Sequence, residues 1–191
     1  RTGGEIQTSV YYKNILLAFG EYFPGGEYYP QVYDWAPQVS RFKSGTDQRL
    51  FTLADGTRLG VTICYEDISP AFFRKVASQG VHAIVNLTND SWFGPTSEPY
   101  QHGALSVFRA IETRTPFVRV TNTGISFAVD RLGHMSKTTP VYDEGVLSLD
   151  ISLPQNPALT LYIRFGEWFL WLVTLCILAI IARAHYVPLR T

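Results

Sequence analysis

Cys64, Glu66 and Asp67 sit almost side by side in the stretch ICYEDISP, residues 63–70. A cysteine followed at once by two carboxylates is the densest chemistry in the chain. A thiolate is a nucleophile, and its attack on a carbonyl needs a proton acceptor and a group to stabilise the oxyanion that forms. By residue type, the candidates to serve Cys64 are Glu66, Asp67, Lys13 and Glu21. The run RLGVTIC reads as a strand ending at Cys64, and Ser69-Pro70 supplies a cap and a first-turn proline for a helix behind it. The C-terminal end of an inner strand is where α/β sheets place their chemistry. A helix N-terminus behind the thiol predicts a lowered pKa and more thiolate. An inert packing cysteine is the alternative, and position alone leaves both readings open.

The elements that must hold Cys64 follow from pattern. LFTL and RLGVTIC flank Ala54-Asp55-Gly56, a tight-turn signal, so residues 50–64 predict a β-hairpin. AFFRKVASQG predicts a helix closed by Gly80, and AIVNL predicts a strand buried on both faces. Residues 88–99 form a loop rich in Asn, Asp, Ser, Gly and Pro. On that loop Asn89 and Asp90 suit either turn capping or an active site. Trp92 and Phe93 suit either core cover or the border of an apolar channel for acyl chains. Residues 100–113 predict a second helix with Ala104, Leu105, Phe108 and Ile111 on one face. His102 on that helix suits either a helix or loop contact or, as the second reading, a base. Arg109, Glu112, Arg114 and Arg119 read as ion pairs fixing helix to sheet. FVRVTNTGISFAVD predicts two strands about a tight turn at Asn122-Thr123-Gly124, and GVLSLDI a last strand. Alternating strands and helices are the pattern of a layered α/β domain. The tyrosines of residues 11–33, with Phe19, Phe23 and Trp35, suit either a lid or an edge of the core.

Composition narrows the class. Sixteen basic residues balance sixteen acidic ones, so no global field draws nucleic acid. Cys64 and Cys176 make neither a disulfide framework nor a CxxC metal pair, and the four histidines lack zinc-ligand spacing. From Trp168 to Ala182 the chain carries no charge, with Trp168 and Trp171 at one end and Arg183, His185 and Arg190 at the other. Aromatic anchors, an apolar run and a basic flank predict one transmembrane helix over residues 161–183 and a short cytoplasmic tail over 184–191. The rest of the chain then faces the outer side of the cytoplasmic membrane.

Several blocks occur in a specific order: YYKNILLAFGEYFP, ICYED, VNLTNDSWFG and QHGALSVFRAIETRTPFVRVTNTGIS, then the terminal apolar helix. In these the chain resembles the nitrilase superfamily of carbon–nitrogen hydrolases, and more closely its membrane branch, the apolipoprotein N-acyltransferases. The resemblance implies an α-β-β-α sandwich with a Glu-Lys-Cys triad and no metal or organic cofactor. Cys64 matches the nucleophile, Lys13 the lysine that supports the tetrahedral intermediate, and Glu21 a glutamate beside that lysine. Tyr65 and Glu66 match the pair after the nucleophile, with Glu66 orienting Lys13 or the incoming amine, or else a surface carboxylate. Asn89, Trp92 and Phe93 become candidate substrate contacts. The implied partners are a phospholipid acyl donor, a diacylglyceryl-apolipoprotein acceptor and the membrane. The chain departs from the family pattern at Ile15, where His is usual, and at Ala18, where Pro is usual.

The family's general-base glutamate lies upstream of the lysine block. Here only Glu5 precedes Lys13, too close in sequence to match it. Residues 1–160 therefore read as the C-terminal part of a nitrilase-like domain whose upstream part belongs to the same enzyme. Two other functions fit the same residues: an amidase that uses water as acceptor, and a catalytically silent, membrane-tethered partner.

Overall fold

The computed structural model describes residues 10–157 and 159–186. Glu5 and the tail from residue 187 onward lie outside the described residues. Five strands form one mixed sheet: β1 (Leu50–Thr52), β2 (Arg58–Ile63), β3 (Ala83–Thr88), β4 (Phe117–Thr121) and β5 (Phe127–Val129), in that spatial order. The central pairs β2–β3 and β3–β4 are parallel, and β1 and β5 close the two sides as antiparallel strands. The expected hairpin is present, turning at Gly56 with φ +84°. That left-handed conformation suits a residue without Cβ.

After the single turn α1 (Val32–Trp35), which precedes the sheet, one face of the sheet is covered by α2 (Pro70–Ala77) and α3 (Glu98–Thr113). Registered partners share a face, so two rows cross the sheet beneath these helices. The lower row, Gly60, Ile84, Phe117 and Val129, is apolar and joins Phe72, Phe73 and Val76 of α2 in the core. Phe73 meets Phe117 edge to face at 5.7 Å, and burying such a ring contributes about 1.5–3 kcal/mol. Gly60 is there for room: a Cβ would lie 2.5 Å from Val76 Cγ1. The upper row, Thr62, Asn86 and Arg119, is polar although fully buried.

That polar row turns α3 over. The side it gives the sheet is His102, Gly103, Ser106, Arg109, Ala110 and Thr113, whereas Leu105 and Phe108 look outward, 51% and 55% exposed. The apolar face of a helix ordinarily points to the core. Here a buried guanidinium needs polar partners more than the helix needs to bury two apolar side chains.

Two further expectations are corrected. The GVLSLDI segment makes no strand: it forms no ladder with β4 or β5, and Val146 is 96% exposed. The helix predicted over 161–183 is two helices, α4 (Leu161–Phe165) and α5 (Trp168–Tyr186), broken at Gly166, φ +59°. Among the described residues no helix is long and apolar enough to cross a membrane. The charge-free run 168–182 rises only about 22 Å, against about 30 Å of hydrocarbon in a bilayer. The described residues of α5 through Ala184 are exposed all round.

On the opposite sheet face Ala83 and Ala128 are buried, whereas Leu87 and Val120 are 50% and 45% exposed. Parallel strands are ordinarily buried on both faces. On this sheet the second face is open at its Leu87 and Val120 end.

Candidate active site

Cys64 follows directly on β2 and opens a single 3-10 turn, Cys64–Glu66. Its φ is +53°, a conformation that costs a non-glycine residue about 1–2 kcal/mol. Such a conformation persists only where the surroundings hold it. Here each of the four residues 64–67 is gripped by a side-chain contact. Asn86, buried in the polar row, donates through Nδ2 to the Cys64 carbonyl at 3.0 Å and to Thr62 Oγ1 at 3.1 Å.

Glu66 is fully buried, which excludes a surface carboxylate. Its Oε2 accepts from the Tyr11 hydroxyl at 2.6 Å and from the Ile63 amide at 2.7 Å. Its Oε1 accepts from the amides of Asn14 and Ile15. One side chain therefore ties the end of β2 to the Tyr11 hydroxyl and to the two backbone amides that follow Lys13. The Lys13 amine is held by Glu21 instead. Burial, with the bond to Glu66, pushes the Tyr11 phenol far above its ordinary value, so Tyr11 stays a donor.

Lys13 Nζ is bound by both oxygens of Glu21, at 2.7 and 2.8 Å, with the two side chains 10% and 15% exposed. Glu21 Oε2 also accepts from the Leu17 amide at 2.7 Å, so the glutamate caps its own turn while holding the lysine. The Lys13 charge acts on the Cys64 thiol and pulls its pKa down. Burial is the larger influence and pushes it up, assisted by Glu21 and Asp67, and the net shift is upward. This corrects the expectation of a lowered thiol. No α-helix begins at Cys64, only three residues of 3-10 turn, and α2 starts at Pro70. The thiol is buried without a helix dipole to offset the loss of water.

Behind the turn lies a buried network that the sequence reading did not assemble. Arg119 donates to Asp67 Oδ2 at 2.7 Å and to Asp90 Oδ2 at 3.1 Å, and its Nη2 lies 2.9 Å from His102 Nδ1. His102 Nε2 lies 2.8 Å from Asp67 Oδ1. Asp90, which turn chemistry would have capping its own loop, spends its carboxylate on Arg119. Burial raises its pKa, but His102 and Arg119 outweigh that and hold it below its ordinary value. Gly124 is not needed here for a turn conformation: a Cβ on it would lie 2.0 Å from Asp90 Oδ2. Of the four residues expected to pin helix to sheet, only Arg109 and Glu112 pair with each other, at 3.0 Å. Arg114 instead donates to the Arg131 carbonyl. The signal for the network was present: Asn86 and Arg119 interrupt the apolar strands AIVNLT and FVRVT at registered positions.

The remaining candidates scatter around this centre. The Tyr65 ring stacks on His102 with centroids 4.5 Å apart and planes at 10°, and its hydroxyl donates to Glu98 Oε1 at 2.7 Å. Phe93 meets Tyr65 edge to face at 5.9 Å, and Trp92 is 56% exposed beside it. Asn89 Oδ1 caps the Ser91 amide and accepts from Asn122 Nδ2, so its polar group is already engaged in the turn. Tyr28, Tyr29 and Trp35 project outward, 69–82% exposed, and pack against no sandwich edge among the described residues. Ligand atoms of Asp90, Glu98 and His102 come within 4.8 Å of one another. The Arg119 guanidinium already serves two of the three, and its charge disfavours a metal cation there.

The chain is similar to known proteins. The family model for carbon-nitrogen hydrolases matches residues 2–156. The chain is 42% identical over 177 residues to the apolipoprotein N-acyltransferase of Bdellovibrio bacteriovorus, covering 91% of this chain and 32% of that protein. To the apolipoprotein N-acyltransferase of Geobacter metallireducens it is 38% identical over 156 residues, covering 82% of this chain and 29% of that protein. The chain thus spans about a third of the length of these relatives. A solved amidase from Nesterenkonia sp. aligns with a TM-score of 0.49 and 19% identity, over 68% of this chain and 45% of that one. With a profile match over most of its length, the chain belongs to the carbon–nitrogen hydrolase family.

Proposed function

We propose that this chain is the thiol-bearing portion of an apolipoprotein N-acyltransferase. Cys64 Sγ attacks the ester carbonyl of a phospholipid, a base takes the thiol proton, and the lysophospholipid leaves with its alcohol reprotonated. The acyl group then rests on Cys64 as a thioester. The free α-amino group of a diacylglyceryl-modified N-terminal cysteine attacks it, the base takes the amine's proton and passes it to sulfur, and the amide forms as the Cys64 thiol departs. Lys13, held by Glu21, supplies positive charge to thiolate and oxyanion without acting as a base. The observation that carries this reading is the strained Cys64 turn with the Lys13–Glu21 pair acting on its thiol, in a chain this similar to named N-acyltransferases.

A thiol held above its ordinary pKa needs a base close by, and the upstream part of the same enzyme supplies it as a glutamate. That part also covers the open face of Leu87 and Val120 as the second sheet of the sandwich. Both substrates are lipids, and α5 brings the site to them by burying its apolar surface in the bilayer, with the catalytic portion on the outer side. The test is transfer of a labelled acyl chain from phospholipid to a diacylglyceryl lipopeptide by the full-length protein. Transfer to the peptide amine, lost in Cys64→Ser, supports the proposal. Release of free fatty acid with the peptide untouched favours the amidase instead.

A further inference from the structure

We propose that His102 is a positioning residue for Cys64, acting through Tyr65 and Asp67, and that its protonation loosens the turn that displays the thiol. The inference rests on the reading of Cys64 as the nucleophile. Among residues 64–67, Cys64 is held by Asn86 and Glu66 by the segment around Lys13. Tyr65 and Asp67 are both held by His102, the first on the flat of the ring and the second at its Nε2 edge. One side chain therefore grips two of the four residues that keep Cys64 at positive φ. It is 2% exposed.

The hydrogen-bond chemistry fixes the resting state. A guanidinium has only donors, so with Arg119 Nη2 at 2.9 Å the His102 Nδ1 is an acceptor, and the ring proton sits on Nε2 toward Asp67. A second proton can only go on Nδ1, where it confronts Arg119. The acceptors then within reach are Asp90 Oδ1 at 3.5 Å and Glu98 Oε1 at 3.7 Å. Turning toward them draws the ring off Tyr65, whose hydroxyl already uses Glu98 Oε1. The groups facing His102 are Asp67 and Tyr65 from the turn, Asp90 from the loop after β3, Glu98 from its own helix and Arg119 from β4. Burial disfavours the second proton, but Asp67 and Asp90 outweigh it and hold His102 above its ordinary value.

The test is alkylation of Cys64 by iodoacetamide in the full-length protein, followed by peptide mass so that Cys176 is read separately, from mildly acidic to alkaline pH. Wild type is expected to show two inflections, the thiol's own and a lower one from His102. His102→Gln keeps a donor for Asp67 but neither stacks nor titrates. It is expected to slow alkylation roughly tenfold, within the range that misplacement of a reacting group costs, and to lose the lower inflection. Should that variant fail to fold, Tyr65→Leu leaves the buried ion network intact and must slow alkylation and shrink the same inflection. A single inflection in wild type overturns the proposal. So does a His102→Gln profile scaled by one factor at every pH with the lower inflection kept, which is the signature of a purely structural residue. Alkylation needs no lipid. A protein that shows the His102 inflection yet never takes an acyl chain keeps this role for His102 and loses the acyltransferase reading.

Discussion

At the residue scale, the thiol is suppressed by burial and partly rescued by one lysine. Removing that lysine raises the thiol pKa further, because the thiolate loses its cation while the Glu21 carboxylate loses its partner and adds repulsion. Lys13→Met is expected to slow Cys64 alkylation several-fold at neutral pH, with the gap closing as the pH rises past the thiol pKa. A rate profile against pH checks it. Glu66 carries four hydrogen bonds, so Glu66→Gln leaves at least one buried amide without an acceptor. At about 1–3 kcal/mol for each such group, the melting temperature falls by several degrees and Lys13 loses its place. Thermal unfolding read beside Cys64 alkylation checks both parts. The identities of Cys64, Lys13 and Glu21 as neighbours were legible from the ordered blocks alone. What Glu66 does was not, because its partners are backbone amides, which a sequence does not distinguish.

At the element scale, the hairpin, both packed helices and the inner strands were legible because each has a strong local period or turn signal. The rotation of α3 was not. Counting apolar residues put Leu105 and Phe108 inside, but Arg119, Asp67 and Asp90 beneath the helix demand polar partners, and that demand belongs to three other elements. GVLSLDI has a strand's composition but finds no partner strand among the described residues, and composition alone does not make a ladder. Among the glycines between elements, the one with least room for a Cβ is Gly124, against Asp90. Gly124→Ala forces that carboxylate off Arg119 and is expected to cost about 3–5 kcal/mol, the range for breaking a buried charge network. Gly56→Ala, where only the φ of +84° is at issue, is expected to cost about 1 kcal/mol. Denaturant midpoints of the two variants check the order.

At the scale of the whole molecule, two apolar surfaces stand exposed among the described residues: the Leu87 and Val120 end of the far sheet face, and α5. The terminal hydrophobic segment was legible as apolar, but its division at Gly166 was not, since a glycine inside an apolar run gives little sign of whether the helix stops there. If α5 is the lipid contact, deleting residues 168–191 from the full-length protein frees this end from the bilayer. Membrane-impermeant labelling of a cysteine placed near Arg164 is then expected to increase. Unchanged labelling removes α5 from that role. The central claim is that Cys64 carries an acyl chain, and one measurement addresses it directly. The full-length protein is held with phospholipid and no acceptor, and its intact mass is read beside a Cys64→Ser control. A mass gain equal to one fatty acyl group, absent from the control and discharged by a lipopeptide amine, is the predicted result. An unmodified wild type, or an equal gain in the control, contradicts it.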